Sequence, residues 1–289
     1  MKILDGKKVA LELSAQLKTE FEQISIELGR KPILGIVRIG EDPSGATDVY
    51  VQKKIEKGNE LGVDVKVFKF AGEKSRFKFI LKQLDKINDE TDGIIIQLPI
   101  GGELSIYKQP ILDSIRYDKD VDGLSSRNSF NFYNKTDEFK FTPATAQAIM
   151  TLVNYYNIEV KDKRVAVIGR GILVGKPTAS LFKEMGAQVS THNRESGIKG
   201  VENADILIVA AGNPDLINKK NIKEGAIVFD VGATLMEKDG RKFICGDVNT
   251  TDLEGHISAM APARGGVGPL TVVSLFQNLL SALKNNNKI

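Results

Sequence analysis

The sequence is short of the residues that mark several common classes of protein. Cys245 is the single cysteine among 289 residues, so neither an internal disulfide nor a cysteine-based metal cluster can form. No apolar run approaches the roughly 20 residues that a membrane-spanning helix needs, and the run Ile206–Gly212 has only the length of a buried strand. Charged residues interrupt the apolar residues of Met1–Ala15, so we expect no signal peptide there. We therefore expect a cytoplasmic protein without a membrane segment.

The charge balance is nearly even, which argues against nucleic acid as a partner. Lys and Arg number 40 against 37 Asp and Glu, and the two signs are interspersed rather than gathered into a basic stripe. The two histidines, His192 and His256, stand outside any metal-binding motif, so we expect no metal site. Hydrophobic residues make up 42% and charged residues 27%, which is the composition of a folded globular protein with room for two domains.

Helical and strand-like patterns alternate along the first half of the chain. Apolar residues at three- and four-residue spacing predict a helix from about Val9 to Leu28. Further helices and strands are predicted at Pro32–Ile39, Ala46–Leu61, Val63–Phe70, Ser75–Asn88 with Ser75 as N-cap, Gly93–Gln97 and Ser105–Ser114. Asp118–Asp137 has no period and is predicted as loop. Repeated strand–helix units favour a parallel sheet covered on both faces.

The second half repeats the strand–helix pattern. Thr142 and Pro143 predict the start of a helix that connects two domains and runs to about Tyr156. Strands and helices follow at Arg164–Ile168, Gly175–Met185, Ala187–Thr191, Ile206–Ala210, Ile227–Asp230 and Val267–Lys284. We predict an α/β protein of two α/β domains. The first spans residues 1–143 and is completed by a long C-terminal helix at 270–289, and the second, at 144–269, is Rossmann-like.

The turn after the strand that ends at Ile168 is rich in glycine. It reads Gly-Arg-Gly-Ile-Leu-Val-Gly, a relaxed form of the dinucleotide-binding fingerprint. Gly169 permits a tight turn, Gly171 a close approach of the backbone, and Gly175 packing of the next helix, whose N-terminus offers N–H groups to a pyrophosphate. Pro177 stands where a Walker phosphate loop needs Ser or Thr. Taken alone, the motif fits a tight turn without a ligand equally well.

The next strand favours NADP over NAD. In an NAD site an acidic residue usually ends this strand and binds the ribose hydroxyls, but here the strand leads into Asn193 and Arg194 without an acid. Arg170 and Arg194 could instead bracket a 2′-phosphate, because guanidinium groups match phosphate oxygens in two-point geometry. The alternative is two solvated surface arginines. Their places at the two relevant strand ends favour NADP.

Two residues of the first half suggest acid–base chemistry. Tyr50 and Lys54 are four apart on a predicted helix and share a face at the edge of its apolar stripe. Lys54 could point into a cleft, where desolvation lowers a lysine pKa towards useful values. On spacing alone, a solvated basic face shared with Lys53 and Lys57 is the favoured alternative.

Other polar residues stand where strands and turns end. Gln97 ends an apolar strand, and ligands bind at the carboxyl ends of strands in open α/β sheets; a local hydrogen bond in a loop is the alternative. Asp120 and Asp122 alternate in Lys-Asp-Val-Asp-Gly. This spacing could aim two carboxylates at a metal, but no further ligands stand nearby. A turn with one ligand-binding carboxylate is the better interpretation.

Short segments in a fixed order carry a resemblance over nearly the whole chain. They are Ile3–Ala10, Thr47–Lys54, Gln97–Pro99, Lys119–Gly123, Gly169–Pro177, Asp230–Gly232, Gly246–Val248 and Gly265–Thr271. In these segments the sequence resembles the bifunctional methylenetetrahydrofolate dehydrogenase/methenyltetrahydrofolate cyclohydrolase family. One such string could arise by chance, but this many in order are specific.

The resemblance implies a role for each matching residue. Lys54 would be the catalytic lysine, with Gln97 orienting it, Tyr50 lining the folate site and Asp122 anchoring the pterin. The implied substrate-binding residues are Tyr50, Gln97, Asp122, Gly265, Gly266 and Pro269. The implied cofactor-binding residues are Gly169, Arg170, Gly171, Gly175, Asn193, Arg194 and Ala233.

The chain also departs from the family pattern. Ile100-Gly101-Gly102 replaces Leu-Pro after Gln-Leu-Pro, and Lys140 and Phe141 replace Pro-Cys before Thr-Pro. Ala261–Arg264 replaces Thr-Pro-Val-Pro, and Gly171 stands where Ser is common. These positions line the expected folate cleft, so the exact folate form and its tail stay open.

The implied function belongs to one-carbon metabolism, which feeds purine biosynthesis. The resemblance implies oxidation of 5,10-methylenetetrahydrofolate with NADP and hydrolysis of the 5,10-methenyl product to 10-formyltetrahydrofolate. It also implies a homodimer and a substrate held between the two domains. The alternatives are a dehydrogenase without cyclohydrolase activity, acting on a modified folate or another small substrate, and a non-catalytic NADP-binding sensor.

Overall fold

The chain folds into two compact α/β units. The computed structural model describes residues 1–41, 45–73, 76–238 and 241–287. The six-stranded unit comprises Met1–Glu12 and Thr145–Thr271, and the three-stranded unit comprises Leu13–Ala144 and Val272–Ile289. Within the described ranges, no helix is both long enough and apolar enough to cross a membrane.

Strands and helices alternate along most of the chain. The strands are β1 Lys2–Ile3, β2 Ile33–Ile39, β3 Asp64–Phe70, β4 Gly93–Ile96, β5 Arg164–Ile168, β6 Gln188–His192, β7 Ile206–Val209, β8 Ile227–Asp230, β9 Thr234–Lys238, β10 Arg241–Cys245 and β11 Ala259–Ala261. The helices are α1 Gly6–Leu28, α2 Ala46–Leu61, α3 Phe77–Glu90, α4 Lys108–Asp113, α5 Ser126–Asn134, α6 Ala144–Tyr155, α7 Gly175–Glu184 and α8 Val267–Asn287. The predicted fold class, two α/β domains with one Rossmann-like, is confirmed.

The three-stranded sheet has the order β3–β2–β4, and both pairings are parallel. β2 and β4 are mostly apolar and buried, while the edge strand β3 alternates between exposed and partly buried residues. Ile80, Leu84 and Ile87 of α3 recur at helical spacing and join the core of this unit. Gly93 of β4 allows α8 to pack closely against the strand, because a Cβ at this position would lie 2.7 Å from Cδ1 of Leu279 in α8.

The six-stranded sheet has the order β1–β11–β8–β7–β5–β6, and every pairing in it is parallel. The strand order reverses at β5, since β6 lies on one side of it and β7 on the other. In open α/β sheets, ligands bind at such a switch point, outside the carboxyl ends of the strands. The fold therefore places the glycine-rich turn, which follows β5, at the edge of a ligand crevice.

Three local features differ from the sequence prediction. Helix α5 lies inside the predicted loop 118–137, and the β9–β10 hairpin was not predicted. The predicted helix at 105–114 is a 3₁₀ turn at Gly102–Tyr107 followed by α4. Pro110 explains that break, because proline lacks an N–H and clashes with the carbonyl four residues before it in a continuous α-helix. Ser75, the predicted cap of α3, lies outside the described residues, as do residues 288 and 289 of the predicted C-terminal helix.

The first twelve residues fold with the six-stranded unit, whereas we expected them in the first domain. The reason is the parallel pairing of β1 with β11, in which the N–H of Leu4 donates to the carbonyl of Met260 at 2.8 Å. Gly6 and Lys7 then donate to the carbonyl of Gly265. A two-residue strand has no recognisable period, so this pairing left no signal in the sequence.

Candidate active site and cofactor crevice

A buried lysine contacts the residue that follows β4. Lys54 has 8% of its surface exposed, and its Nζ donates to Oε1 of Gln97 at 2.5 Å. The sheet fixes Gln97, because its backbone N–H donates to the carbonyl of Val37 in β2 at 2.9 Å. Its Nε2 donates to the carbonyl of Leu98 at 3.1 Å, which directs Oε1 towards the lysine. This burial argues against a solvated basic face at Lys54.

Helix α2 carries Tyr50 and Lys54 one turn apart. Tyr50 is half-buried, and burial raises the pKa of its phenol. Gly58, one turn after Lys54, brings the helix close to the sheet. A Cβ on Gly58 would lie 2.3 Å from Cγ2 of Val65 in β3. The helix therefore holds the lysine at a fixed depth.

Lys54 and Asp122 influence each other's protonation. Burial lowers the pKa of Lys54, and the negative charge of Asp122 partly opposes this. Burial raises the pKa of Asp122, and the positive charge of Lys54 partly opposes that. Each charge therefore stabilises the other in a site with little water. A site of this kind can gain or lose a proton at moderate cost, as acid–base catalysis requires.

Asp120 has a structural role that differs from that of Asp122. The residue is 1% exposed, and its carboxylate accepts the backbone N–H of Ser125 at 2.7 Å and the side-chain amide of Asn128 at 3.1 Å. Burial raises its pKa to about 6. In the part of the chain that the structure describes, no group of three or more His, Cys, Asp or Glu residues could hold a metal ion. The two carboxylates thus have separate partners.

The turn before Asp122 is also held by α8. The side-chain amide of Asn278, which is buried, donates to the carbonyl of Val121 at 2.8 Å and to that of Thr142 at 3.0 Å. Sequence reasoning missed Asn278. Its partners are backbone carbonyls from distant parts of the chain, so no local motif could have revealed it.

The turn after β5 has the geometry of a phosphate-binding turn. Gly169 has a φ of +102°, and a Cβ there would lie 2.1 Å from the carbonyl oxygen of Ala210. A Cβ on Gly175, at the start of α7, would lie 1.8 Å from the carbonyl oxygen of Gly169. In contrast, a Cβ on Gly171 would meet open space. An open backbone beside a helix N-terminus fits the phosphates of a dinucleotide.

The arginines and asparagine predicted for the cofactor lie around the end of β6. Arg170 donates from Nε to Oγ1 of Thr191 at 3.1 Å and from Nη2 to the carbonyl of Thr191 at 2.7 Å. Asn193 accepts the backbone N–H of Ser196 at 2.9 Å and so shapes the turn after β6. Arg194 lies exposed on that turn. The fold thus brings both arginines to the strand end where a 2′-phosphate would lie.

Two buried carboxylates shape the neighbouring turns. Asp247, which is fully buried, accepts backbone N–H groups from Ala211 and Gly212 through Oδ2 and from Asn213 through Oδ1. Asp230, at the end of β8, accepts the backbone N–H of Asp247 at 3.0 Å. Ala233 lies exposed just beyond Asp230. Sequence matching had included the segments of both carboxylates but assigned neither a role.

The predicted glycine loop lies in the six-stranded unit. Gly265 and Gly266 form the turn between β11 and α8, and the carbonyl of Gly265 accepts the N–H of Gly6 at 2.8 Å. Pro269 lies in the first turn of α8, where a missing N–H costs nothing. These residues are therefore grouped in one turn, while Tyr50, Lys54, Gln97 and Asp122 belong to the three-stranded unit.

Together, these features define a class of protein. A parallel sheet with a glycine-rich turn at its switch point is typical of a Rossmann-like dinucleotide-binding unit. A buried lysine beside glutamine and aspartate is typical of an acid–base site. The chain is a two-unit α/β protein of the dehydrogenase class.

Two family models match the chain. The catalytic domain of tetrahydrofolate dehydrogenase/cyclohydrolase matches residues 4–122. The NAD(P)-binding domain of tetrahydrofolate dehydrogenase/cyclohydrolase matches residues 143–287. The chain belongs to this family, so the family predicted from its motifs is confirmed.

Known relatives cover the full length. The bifunctional protein FolD of Mycoplasmopsis synoviae is 43% identical over 287 residues, which is 98% of this chain and 100% of that protein. The FolD methylenetetrahydrofolate dehydrogenase/cyclohydrolase of Campylobacter jejuni has a crystal structure with a TM-score of 0.90 and 31% identity, and 99% of each chain is covered. The FolD of Trypanosoma brucei, complexed with NADP cofactor and an inhibitor, has a TM-score of 0.91 and 27% identity, with 99% of this chain and 98% of that chain covered.

Proposed function

We propose that this protein oxidises 5,10-methylenetetrahydrofolate with NADP and hydrolyses the 5,10-methenyl product to 10-formyltetrahydrofolate. Membership of the tetrahydrofolate dehydrogenase/cyclohydrolase family supports both activities. The observation that carries the proposal is the buried contact between Lys54 and Gln97, beside Asp122, in the unit that contains most of the catalytic-domain match. A sensor that only bound NADP would have no use for a buried lysine there.

Lys54 would serve the hydrolysis as a proton carrier. Addition of water to the methenyl carbon releases a proton, and opening of the ring places a proton on N5 of the folate. Because burial lowers the pKa of Lys54, a larger fraction of this amine is neutral near neutral pH than for an exposed lysine. A neutral Nζ can accept the proton of the attacking water, and the resulting ammonium can return one to the leaving nitrogen. Gln97 would orient Nζ through its 2.5 Å hydrogen bond.

Asp122 and Tyr50 would bind the folate. An ionised carboxylate accepts hydrogen bonds, and the pterin ring presents N–H groups that donate them. Lys54 favours the ionised form of Asp122 against the effect of burial. Tyr50, on the same face of α2 as Lys54, would line the ring site, and Gly265, Gly266 and Pro269 would contact the substrate from their turn.

The cofactor would lie at the turn after β5. The open backbone at Gly171 and the N-terminus of α7 fit the pyrophosphate, with Gly169 and Gly175 shaping the turn. Arg170 and Arg194 would hold the 2′-phosphate, and Asn193 and Ala233 would contact the cofactor from the turns after β6 and β8. Bound NADP supplies the hydride acceptor for the methylene carbon. The protein's part in that step is to orient the two molecules.

We further propose that the protein acts in the cytoplasm as a homodimer. A single cysteine fits a reducing compartment, and the resemblance to the family motivates the dimer. Light scattering after size-exclusion chromatography measures the oligomeric state directly. A mass of one chain at micromolar protein concentration would contradict the dimer.

One assay separates the candidate activities. The purified chain is given methylenetetrahydrofolate with NADP, and the absorbance of NADPH and of methenyltetrahydrofolate is followed. We expect NADPH to form without lasting accumulation of the methenyl compound. Lasting accumulation would indicate a dehydrogenase without cyclohydrolase activity, and binding of NADPH without turnover would indicate a sensor. Replacement of NADP by NAD is the control for cofactor preference.

A further inference from the structure

The turn after β7 is held by a buried carboxylate. Its N–H groups at Ala211, Gly212 and Asn213 donate to Asp247 at 2.7, 2.9 and 2.8 Å. Successive N–H groups that converge in this way form a concave site, called a nest, that binds anions. Here the anion is a side chain of the protein itself, and Asp247 is completely buried.

Asp247 is held in turn by Asp230. Oδ1 of Asp230 accepts the N–H of Asp247 at 3.0 Å and that of Gly232 at 3.1 Å, and Oδ2 accepts the N–H of Val248 at 3.2 Å. Glycine is needed beside both carboxylates. A Cβ on Gly232 would lie 2.4 Å from Cγ of Asp247, and one on Gly246 would lie 1.9 Å from Oδ2 of Asp230. This packing explains the glycines of the Asp-Val-Gly and Gly-Asp-Val segments.

The turn after β7 contacts the glycine-rich turn after β5. The N–H of Ala210 donates to the carbonyl of Ile168 at 2.8 Å, and the carbonyl of Ala210 lies where a Cβ on Gly169 would stand. A continuous series of contacts therefore connects Asp230, Asp247, the turn at 210–213 and Gly169. A shift of the turn after β7 would move the backbone that faces the cofactor phosphates.

We propose that Asp247 is a positioning residue for the cofactor. Its carboxylate fixes the turn after β7 against Gly169, and it fills a nest that would otherwise compete with the N-terminus of α7 for a cofactor phosphate. The proposal rests on the proposed function only in naming NADP as the ligand. Asp247 acts through the turn and needs no contact with the cofactor. The phosphates are then left to the N-terminus of α7 and the open backbone at Gly171.

The test uses Asp247→Asn, which keeps the size of the side chain but turns one acceptor into a donor facing N–H groups. The turn after β7 is then held less firmly against Gly169, so we expect NADP binding to weaken indirectly, by about tenfold. We expect a higher Kd by calorimetry and a higher KM for NADP, with kcat recovered at saturating NADP. Hydrolysis of supplied methenyltetrahydrofolate consumes no cofactor. A weaker affinity for NADP should therefore change the rate of hydrolysis by less than about twofold.

The matched control is Asp215→Asn, the same chemical change at an exposed position of the same loop, and it should leave NADP binding unchanged. An unchanged Kd for NADP in folded Asp247→Asn would overturn the proposal, as would an equal fall of both activities. If Asp247→Asn does not fold, the Kd for NADP is measured for Asp230→Asn, which weakens the hydrogen bonds that hold Asp247 but keeps the carboxylate of Asp247. An unchanged Kd in that variant would likewise overturn the proposal. The Kd is measured without turnover, so the result stands even if the wild-type protein lacks one activity.

Discussion

Lys54 and Asp122 are two opposite charges that the fold removes from most of the solvent. Burial disfavours each charge, and the partner's charge partly restores it. In such a pair, the loss of one charge shifts the pKa of the other further from its usual value. The pKa of Lys54 is therefore set by two opposing effects, burial, which lowers it, and the charge of Asp122, which raises it.

The first prediction concerns Lys54→Met, which keeps most of the length of the side chain and removes the amine that carries the proton. General acid–base catalysis typically contributes about 10²–10⁴-fold, so hydrolysis of methenyltetrahydrofolate should fall by that order. Dehydrogenase activity should stay measurable, because it depends mainly on orientation. Absorbance of accumulated methenyltetrahydrofolate measures the effect.

Lys78→Met, at an exposed position of α3, is the control and should keep both activities. Circular dichroism establishes that both variants are folded. Near wild-type hydrolysis by folded Lys54→Met would mean that the proton carrier is another group.

The second prediction concerns Arg194→Ala. If Arg194 binds the 2′-phosphate, the variant should lose about tenfold or more in NADP affinity, since a hydrogen bond to a charged group is broken. NAD lacks that phosphate, so its affinity should stay the same. Calorimetric titration of both cofactors measures the ratio, with Lys199→Ala on the same exposed loop as control. Equal affinities for the two cofactors in the wild type would rule out this role.

Residues differ in how far the sequence reveals them. Lys54, Gln97 and Asp122 could be selected because they stand in segments that match a known family. Asp247 and Asn278 have equally extensive contacts, yet their partners are backbone groups brought together only by folding. Spacing along the chain cannot reveal such residues, because they serve the shape of a turn rather than a periodic face.

Among the secondary-structure elements, the strongly periodic ones were predicted well. The bounds of α2 and β5 agree with the sequence prediction, because both combine a clear apolar pattern with a glycine boundary. Helix α5 was missed because its buried residues include Asn128 and Asn131, which are polar and are satisfied by hydrogen bonds. A helix that buries amides has no apolar stripe to detect.

The third prediction concerns the packing of α2 on β3. Gly58→Ala would place a Cβ 2.3 Å from Cγ2 of Val65, and overpacking of this kind typically costs about 1–3 kcal/mol in the free energy of unfolding. The same Cβ would lie 3.1 Å from the backbone carbonyl of Val63, so we expect the helix to move away from the sheet, Lys54 to lose alignment with Gln97, and hydrolysis to slow. Urea denaturation and the hydrolysis assay measure the two effects.

The double variant Gly58→Ala/Val65→Ala removes the clashing methyl group and should recover part of both losses beyond what the single variants predict. Additive effects of the two substitutions would show that the close contact between Gly58 and Val65 does not position Lys54.

The free energy of unfolding of the whole molecule should depend on pH through Asp120. Burial raises the pKa of Asp120 from 3.8 to about 6, so its contribution to the free energy of unfolding is fully present below pH 3.8 and is lost as the pH rises through about 6. A shift of about two units corresponds to on the order of 3 kcal/mol. Asp120→Asn cannot ionise, so the wild type should lose about that much relative to the variant between about pH 4 and about pH 7.5.

Urea denaturation at several pH values measures this difference. Asp118→Asn, at a partly exposed position two residues earlier, is the control for the removal of one carboxylate from the same turn. A difference for Asp120→Asn that is constant across the range would contradict the burial effect.

The pairing of β1 with β11 sets an order of events during synthesis on the ribosome. β1 leaves the ribosome long before its partner at Ala259–Ala261 is made. The three-stranded unit likewise waits for Asn278 of α8 to hold the turn at Val121. A nascent chain that stops before residue 259 therefore has an unpaired edge at β8 and an unanchored turn beside Asp122. Both are expected to make truncated chains targets for proteases and chaperones.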